Sequence, residues 1–219
     1  MPSPLRAVSI TDALVAALRE AIFAGDLQAG ARVSEATLAE RFDVARPTVR
    51  AALQALVGDG LLRREPNRSV YVPRLADDDV RDLFAVRKLL ELEAVRTLVG
   101  RGIRPTPAWQ ALRQLEGLGE EDGWGEVVAY DLALHRALVD GVGSPRMTRI
   151  YGGITDEVRL GLVQLRPAYS APAQIAAEHR TLLEAIASGD LDRALGETRD
   201  HLEASERILL GGHDQPSER

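Results

Sequence analysis

The sequence contains no cysteine and no long apolar run, and these absences exclude several classes of protein. Without cysteine among its 219 residues, the chain can form no disulfide, thiolate metal site or cysteine nucleophile. No apolar stretch approaches the roughly 18 residues that suggest a membrane-spanning helix, and the N-terminus lacks the pattern of a secretory signal peptide. We therefore predict a cytoplasmic protein that has no membrane partner.

Lysine is nearly absent too, since Lys88 is the only one, and the basic residues are unevenly distributed. Residues 1–75 contain ten arginines and eight acidic residues, whereas residues 76–219 contain 17 basic and 25 acidic residues. Such asymmetry suggests a nucleic-acid module joined to a part with another task. Because 45% of the residues are hydrophobic, a packed core is expected in both parts.

The first part has the pattern of a winged helix-turn-helix. Helical spacing of apolar residues predicts a helix over about 9–24 and a short helix over about 34–42. A third helix begins near Pro47, which suits the first turn of a helix, and ends at Gly60. The remaining segments are predicted as a loop at 26–32, a turn at 43–45, strands at 61–64 and 70–73, and a hairpin turn at 65–69.

The second part is helical throughout, with proline and glycine at its breaks. Helices are predicted at about 77–100, 106–118, 121–141, 145–165, 171–188 and 190–210. The fold class is therefore mainly α: an N-terminal winged helix-turn-helix domain over 1–75 and a C-terminal all-α bundle of about six helices over 76–219.

The start of the third helix carries the side chains suited to read DNA. A recognition helix presents its N-terminal residues to base edges in the major groove, and here these are Arg46, Thr48 and Arg50. Arg46 and Arg50 lie one turn apart on the same face, and arginine is well suited to read guanine. Arg68, at the predicted wing tip, is placed to contact backbone phosphate or the minor groove. The partner is therefore expected to be double-stranded operator DNA.

The first part resembles the winged helix-turn-helix of the GntR family of transcription regulators. The resemblance is carried by the stretches 22–30, 38–44, 46–53 and 59–62, together with Glu35 and Leu56. It implies that Arg46 and Arg50 contact operator bases and that the wing also contacts DNA. Ala36, Ala45 and Ser69 depart from the residues usual in the family, which leaves the operator sequence and affinity open.

Four histidines occur in the chain, and three of them lie on predicted helices of the second part: His135, His179 and His201. Asp131 precedes His135 by four residues, so both side chains face the same way on one helix. Imidazole and carboxylate ligands suit zinc, nickel, manganese, iron or cobalt, and ligand type alone does not choose among them. At this point each histidine can equally be a separate core or surface residue.

The second part, residues 77–210, resembles the FCD-type effector domain of the FadR subfamily of GntR regulators. The resemblance implies that Asp131, His135, His179 and His201 bind a divalent metal ion, with zinc as the first choice and nickel, manganese, iron or cobalt as alternatives. It also implies a small organic acid effector held by Arg87 and, with a weaker basis, by Arg159. The alternative for Arg87 is a salt bridge to Glu91, and the alternative for Arg159 is a solvated or ion-paired side chain.

The two parts together predict a transcriptional regulator rather than an enzyme. We expect a homodimer, in which two DNA-binding domains bind half-sites roughly one helical turn or more apart. We also expect repression as the output and an effector that changes operator affinity. The alternatives are a regulator with a purely structural metal and a metal-dependent hydrolase, against which the absence of a His-Glu-x-x-His pattern argues.

Overall fold

A computed structural model describes residues 9–65, 70–164 and 171–211. The chain divides into two compact units, residues 1–74 and 75–219. Within the described residues the first unit contains three helices and a small sheet, and the second contains helices alone. This confirms the predicted mainly α fold class. None of the described helices combines the length and apolarity needed to cross a membrane.

The three helices of the first unit begin and end where local signals favour it. They are α1 (Ile10–Phe23), α2 (Glu35–Phe42) and α3 (Arg46–Gly58). The Ser9 and Ser34 hydroxyls accept hydrogen bonds from backbone amides of the first turns of α1 and α2, which satisfies donors that have no partner within the helix. Pro47 is the second residue of α3, where its missing N–H costs nothing.

A tight turn at Asp43 joins α2 to α3. Asp43 has a left-handed backbone with φ of 50°, and its amide donates to the carbonyls of Ala39 and Glu40. Asp tolerates this conformation better than most residues other than glycine. The turn lets α3 bury its apolar stripe, which consists of Val49, Ala52, Leu53 and Leu56.

The sheet of the first unit has one strand more than the predicted hairpin. Its strands are β1 (Arg32–Val33), β2 (Arg63–Arg64) and β3 (Val70–Tyr71), in the order β1-β3-β2 with antiparallel pairing. The predicted loop over 26–32 therefore ends in a strand, because Arg32 pairs with Tyr71. A two-residue strand is too short to show an alternating apolar pattern. Arg68 lies outside the described residues.

Over its described residues, 75–164 and 171–211, the second unit contains six helices, as predicted. They are α4 (Asp77–Gly100), α5 (Thr106–Glu116), α6 (Trp124–Asp140), α7 (Pro145–Gln164), α8 (Pro172–Ala187) and α9 (Leu191–Gly211). Helix α4 packs against α6, α7, α8 and α9, so it lies at the centre of the bundle. One core cluster joins α4, α5, α6, α8 and the start of α9, with Leu98, Leu112, Leu134 and Leu183 fully buried within it.

Candidate functional site

Side chains from three helices of the second unit bring three imidazoles together. His135 on α6, His179 on α8 and His201 on α9 have ring nitrogens that all lie within 4.8 Å of one another. The Nε2 atom of His135 is 3.1 Å from the Nε2 atoms of both other rings. His135 and His179 are each 1% exposed, so almost no water reaches them. The structure thus brings together the three histidines that the sequence placed on separate helices.

Asp131 adds a carboxylate to this cluster, which we call the histidine cluster (Asp131, His135, His179 and His201). Its Oδ1 atom lies 3.0 Å from Nε2 of His179, and its side chain is 17% exposed. Asp131 and His135 are four residues apart on α6, which places both side chains on one face of that helix. All four predicted ligands are therefore found in one place.

The hydrogen bonds of the outer ring nitrogens leave the inner nitrogens free to bind a cation. Nδ1 of His179 donates to the carbonyl of Ile175 at 2.7 Å, and Nδ1 of His135 lies 2.7 Å from Oε2 of Glu91. Since carbonyl and carboxylate oxygens only accept hydrogen bonds, the proton of each neutral ring is on Nδ1. The lone pair of each Nε2 then points into the cluster, where lone pairs 3.1 Å apart repel unless a proton or cation lies between them.

The separations within the cluster suit a divalent metal ion. An ion about 2.1 Å from two nitrogens at right angles would hold them about 3.0 Å apart, close to the 3.1 Å seen between Nε2 atoms. Three neutral nitrogens and one carboxylate form a borderline donor set that suits zinc and other first-row ions. The bonds from Nδ1 to Glu91 and Ile175 are of the outer-shell kind that orients ligating histidines. The residues present therefore fit a metal.

The charge states of the cluster reflect burial and close charge pairs. Burial opposes ionisation of Asp131, yet the neighbouring His179 and His135 hold the pKa of this carboxyl well below its usual range. Burial also disfavours the charged form of His179, but the carboxylate of Asp131 raises the net pKa of this imidazole. Burial together with His179 and His135 lowers the pKa of His201 well below the usual value. His201 is therefore neutral and ready to act as a ligand.

A cavity of about 50 Å³ opens beside the histidine cluster. This is enough for a few water molecules or the head of a small ligand. Its polar lining includes Arg87, Asp131 and the three histidines, and its apolar lining consists of Phe84, Trp124, Val127, Val128, Leu162, Ile175 and Ile208. Trp124 is held in place by a hydrogen bond from its indole N–H to the carbonyl of Leu162 at 3.0 Å.

Arg87 on α4 both pairs with Glu91 and lines this cavity. Its Nε donates to Oε1 of Glu91 at 2.7 Å, so the predicted alternative of a salt bridge is present. Its Nη2 is buried and has no hydrogen-bond partner among the described residues. A buried guanidinium N–H without a partner is costly and suits an anion that enters the cavity. Arg159 on α7 is half-buried, and it is not among the described residues that line the cavity.

In the first unit, the predicted DNA-reading residues lie at the start of α3. Arg46 and Arg50 are exposed, and Thr48 is half-buried. The guanidinium of Arg50 makes two hydrogen bonds to Glu35 on α2, from Nε at 3.2 Å and from Nη2 at 2.8 Å. Arg50 is thus held by the carboxylate of Glu35. The bonds from Arg50, supported by the charges of Arg64 and Arg46, outweigh a small effect of burial and lower the pKa of Glu35.

Both units match protein families that describe bacterial regulators. Residues 10–72 match the family described as bacterial regulatory proteins, gntR family, and residues 82–204 match the FCD domain. The chain belongs to the GntR family. The two matches, one in each unit, confirm the predicted architecture of a GntR helix-turn-helix followed by an FCD domain.

Similar proteins along most of the chain are also transcription regulators. An uncharacterised HTH-type transcriptional regulator BphR of Paraburkholderia xenovorans is 30% identical over 95% of this chain and 89% of its own length. The gluconate operon transcriptional repressor of Bacillus subtilis is 24% identical over 79% of this chain and 74% of its own. A GntR regulator of solved structure from Rhodococcus sp. RHA1 is 27% identical, with a TM-score of 0.81 and coverage of 95% and 99%. The chain is therefore a transcriptional regulator and not an enzyme, as predicted.

Three residues of these sites were not predicted from the sequence as functional. Glu91 appeared there only as a salt-bridge partner of Arg87, Tyr151 was not considered, and Glu35 entered only as part of the family resemblance. The hydroxyl of Tyr151 on α7 donates to Oε1 of Glu91 at 2.5 Å. No local pattern reveals that contact, because the two residues are 60 positions apart.

Proposed function

We propose that this GntR-family regulator is a homodimeric repressor whose affinity for operator DNA changes when a small carboxylate binds beside a divalent metal ion. Residues 1–75 form the DNA-binding domain, and residues 76–219 form the domain for metal, effector and dimerisation. The observation that carries the proposal is the histidine cluster beside a cavity that Arg87 lines, together with a buried Nη2 atom of Arg87 that has no hydrogen-bond partner in the part of the chain that the structure describes.

The metal is held by Asp131, His135, His179 and His201, with zinc as the first choice. These four side chains would hold the ion, and an ion with six positions would have room for a carboxylate, which Arg87 could also bind. The protein is expected to have one state with high and one with low affinity for DNA, and a ligand that binds these states unequally shifts their populations. By the same coupling, DNA changes the affinity for the ligand. The similarity to the gluconate operon transcriptional repressor of Bacillus subtilis supports repression as the output.

Operator reading is assigned to Arg46, Thr48 and Arg50, with Arg68 as a further contact from the wing. Arg46 and Arg50 are exposed on the first two turns of α3, the part of a recognition helix that meets base edges. Arg159 is retained as a second effector-binding candidate on the basis of family resemblance alone.

The dimer is supported by two exposed apolar side chains on helices that pack together. Leu89 on α4 is 71% exposed and Ile150 on α7 is 56% exposed. A second copy of the chain that covers them would remove this apolar surface from water. Analytical ultracentrifugation should show a dimer for the wild type and a monomer for Leu89→Glu. The exposed Glu93→Gln variant on the same helix serves as the control.

The experiment that tests the function is a mobility shift on the upstream region of the protein's own gene. Binding should weaken as salt increases and should be lost in Arg46→Ala and Arg50→Ala, while Arg96→Ala, an exposed arginine of α4, leaves it unchanged. Metal-loaded protein is then titrated with acetate, lactate, succinate and gluconate. Release of DNA by one acid supports the proposed effector, whereas binding of metal without any response to acids would make the metal purely structural.

A further inference from the structure

A buried carboxylate that belongs to none of the predicted ligand sets lies at the centre of the second unit. Glu91 on α4 is 0% exposed. Its Oε1 accepts hydrogen bonds from Nε of Arg87 at 2.7 Å and from the hydroxyl of Tyr151 at 2.5 Å. Its Oε2 lies 2.7 Å from Nδ1 of His135. Oε1 therefore binds Arg87 and Tyr151, whereas Oε2 faces His135.

The partners of Glu91 keep it ionised. Nε of the Arg87 guanidinium and the hydroxyl of Tyr151 both donate to Oε1, so the carboxylate is paired with a cation. An ionised carboxylate only accepts hydrogen bonds, so the ring nitrogen that faces Oε2 must carry a proton. In a neutral His135 ring Nε2 is then the unprotonated nitrogen, and it is this atom that faces His179 and His201.

We propose that Glu91 is a positioning residue that keeps the proton of His135 on Nδ1, so that Nε2 is available to a metal ion, and that its other oxygen holds Arg87, a residue that lines the cavity. One carboxylate thus joins the metal site to the effector-binding arginine. The claim that Glu91 raises metal affinity rests on the proposed metal site. The claim that Glu91 keeps the proton of His135 on Nδ1 is independent of that site.

Glu91→Gln gives a test with a specific structural outcome. Two donors, from Arg87 and Tyr151, converge on the position of Oε1, so the amide oxygen of glutamine should take that position. The amide NH₂ then faces Nδ1 of His135 and donates to it. The ring must accept this bond, so its proton moves to Nε2 and blocks the nitrogen that would bind the metal.

The tautomer is measured first, in metal-free protein, by long-range ¹H–¹⁵N NMR of the histidine rings at pH 8. The wild type should show His135 protonated at Nδ1, and Glu91→Gln should show it protonated at Nε2. Zinc affinity is then measured by competition with a chelator, and Glu91→Gln should bind about 10–100-fold more weakly. Glu93→Gln is the matched control, since Glu93 lies on the same helix with its side chain 54% exposed, and it should change neither result.

The outcomes separate this inference from the proposed metal site. If the wild type binds no zinc, the metal site fails, and the NMR result alone decides the role of Glu91. If the wild type binds zinc and Glu91→Gln shows an unchanged tautomer and affinity, the role of Glu91 is overturned while the metal site stands. If Glu91→Gln does not fold, Arg87→Met/Glu91→Leu removes both buried charges together, which avoids an unpaired charge in the core. This double variant should also lose the preference for Nδ1–H, and retention of it would overturn the inference.

Discussion

Metal binding should raise the thermal stability of the protein by an amount that His179→Asn removes. Nε2 of His179 lies 3.1 Å from Nε2 of His135 and 3.0 Å from Oδ1 of Asp131, so its loss takes away one ligand of the cluster. The shorter asparagine side chain cannot reach the ion, but its amide can still donate to the carbonyl of Ile175, which now accepts from Nδ1 of His179 at 2.7 Å. The substitution therefore removes the ligand atom and keeps a local hydrogen bond.

The size of the effect follows from mass action. At a free zinc concentration 100 times the Kd, binding stabilises the native state by about 2.7 kcal/mol. For a domain near the size of residues 75–219, each kcal/mol raises Tm by about 2–4 °C, so the wild type should gain roughly 5–11 °C. If His179→Asn weakens binding about 100-fold, the same zinc concentration contributes about 0.4 kcal/mol and a rise of roughly 1–2 °C.

The assay is calorimetric or fluorescence-monitored unfolding of each protein with and without zinc. Because each variant is compared with itself, any change that the substitution makes to the metal-free stability cancels. His213→Asn is the control, since it replaces the one histidine of the chain outside the cluster, and it should keep the full rise. If zinc raises Tm equally in the wild type and in His179→Asn, or if His213→Asn abolishes the rise in Tm, the ion binds elsewhere.

Three further predictions address the buried network, the effector and the DNA-binding domain. Tyr151→Phe removes one hydrogen bond to the buried Glu91 carboxylate and should lower the free energy of unfolding by about 1.5–3 kcal/mol in denaturant titrations; a change below about 0.5 kcal/mol would contradict the bond. Arg87→Lys keeps a cation beside Glu91 but loses the guanidinium fork, so calorimetric binding of the active organic acid to metal-loaded protein should weaken while zinc still binds, and unchanged acid binding would exclude Arg87 as the contact. Glu35→Gln releases Arg50 and removes a negative charge beside the DNA-facing helix, so binding to nonspecific DNA should strengthen. The preference for operator over nonspecific DNA should fall roughly tenfold, and an unchanged preference in competition mobility shifts would count against positioning of Arg50 by Glu35.

Zinc affinity should also depend on pH, with the direction set by the imidazoles. A ligating histidine must be deprotonated, so protons compete with the metal. Although burial opposes it, the Asp131 carboxylate raises the pKa of His179 above its usual value, so this competition begins at higher pH than for a free imidazole. Zinc affinity measured by chelator competition should fall roughly tenfold or more between pH 8 and pH 6. An affinity independent of pH over this range would exclude histidine ligands.

Local sequence patterns determined most of the architecture. The bounds of the helices and of the wing strands were predicted to within a few residues. The signals were apolar periodicity, the Ser9 and Ser34 caps, Pro47, and the glycine and proline breaks. The spacing of Asp131 and His135 likewise placed two ligands on one helix face, because helical geometry alone relates residues four apart. Strand β1 was missed since its two residues gain their structure only from pairing with β3.

Tertiary structure decided what these side chains do. His135 is 44 residues from His179 and 66 from His201, and such distances become contacts only when the helices pack. The sequence could pair Arg87 with Glu91, one turn away. It could not show that Oε2 of Glu91 reaches His135 on α6 or that Tyr151 on α7 donates to Oε1. It also could not show that Arg87 lines the same cavity as the histidines. Helical spacing acts within one element, whereas hydrogen bonding in a buried site depends on how four or five elements pack around it.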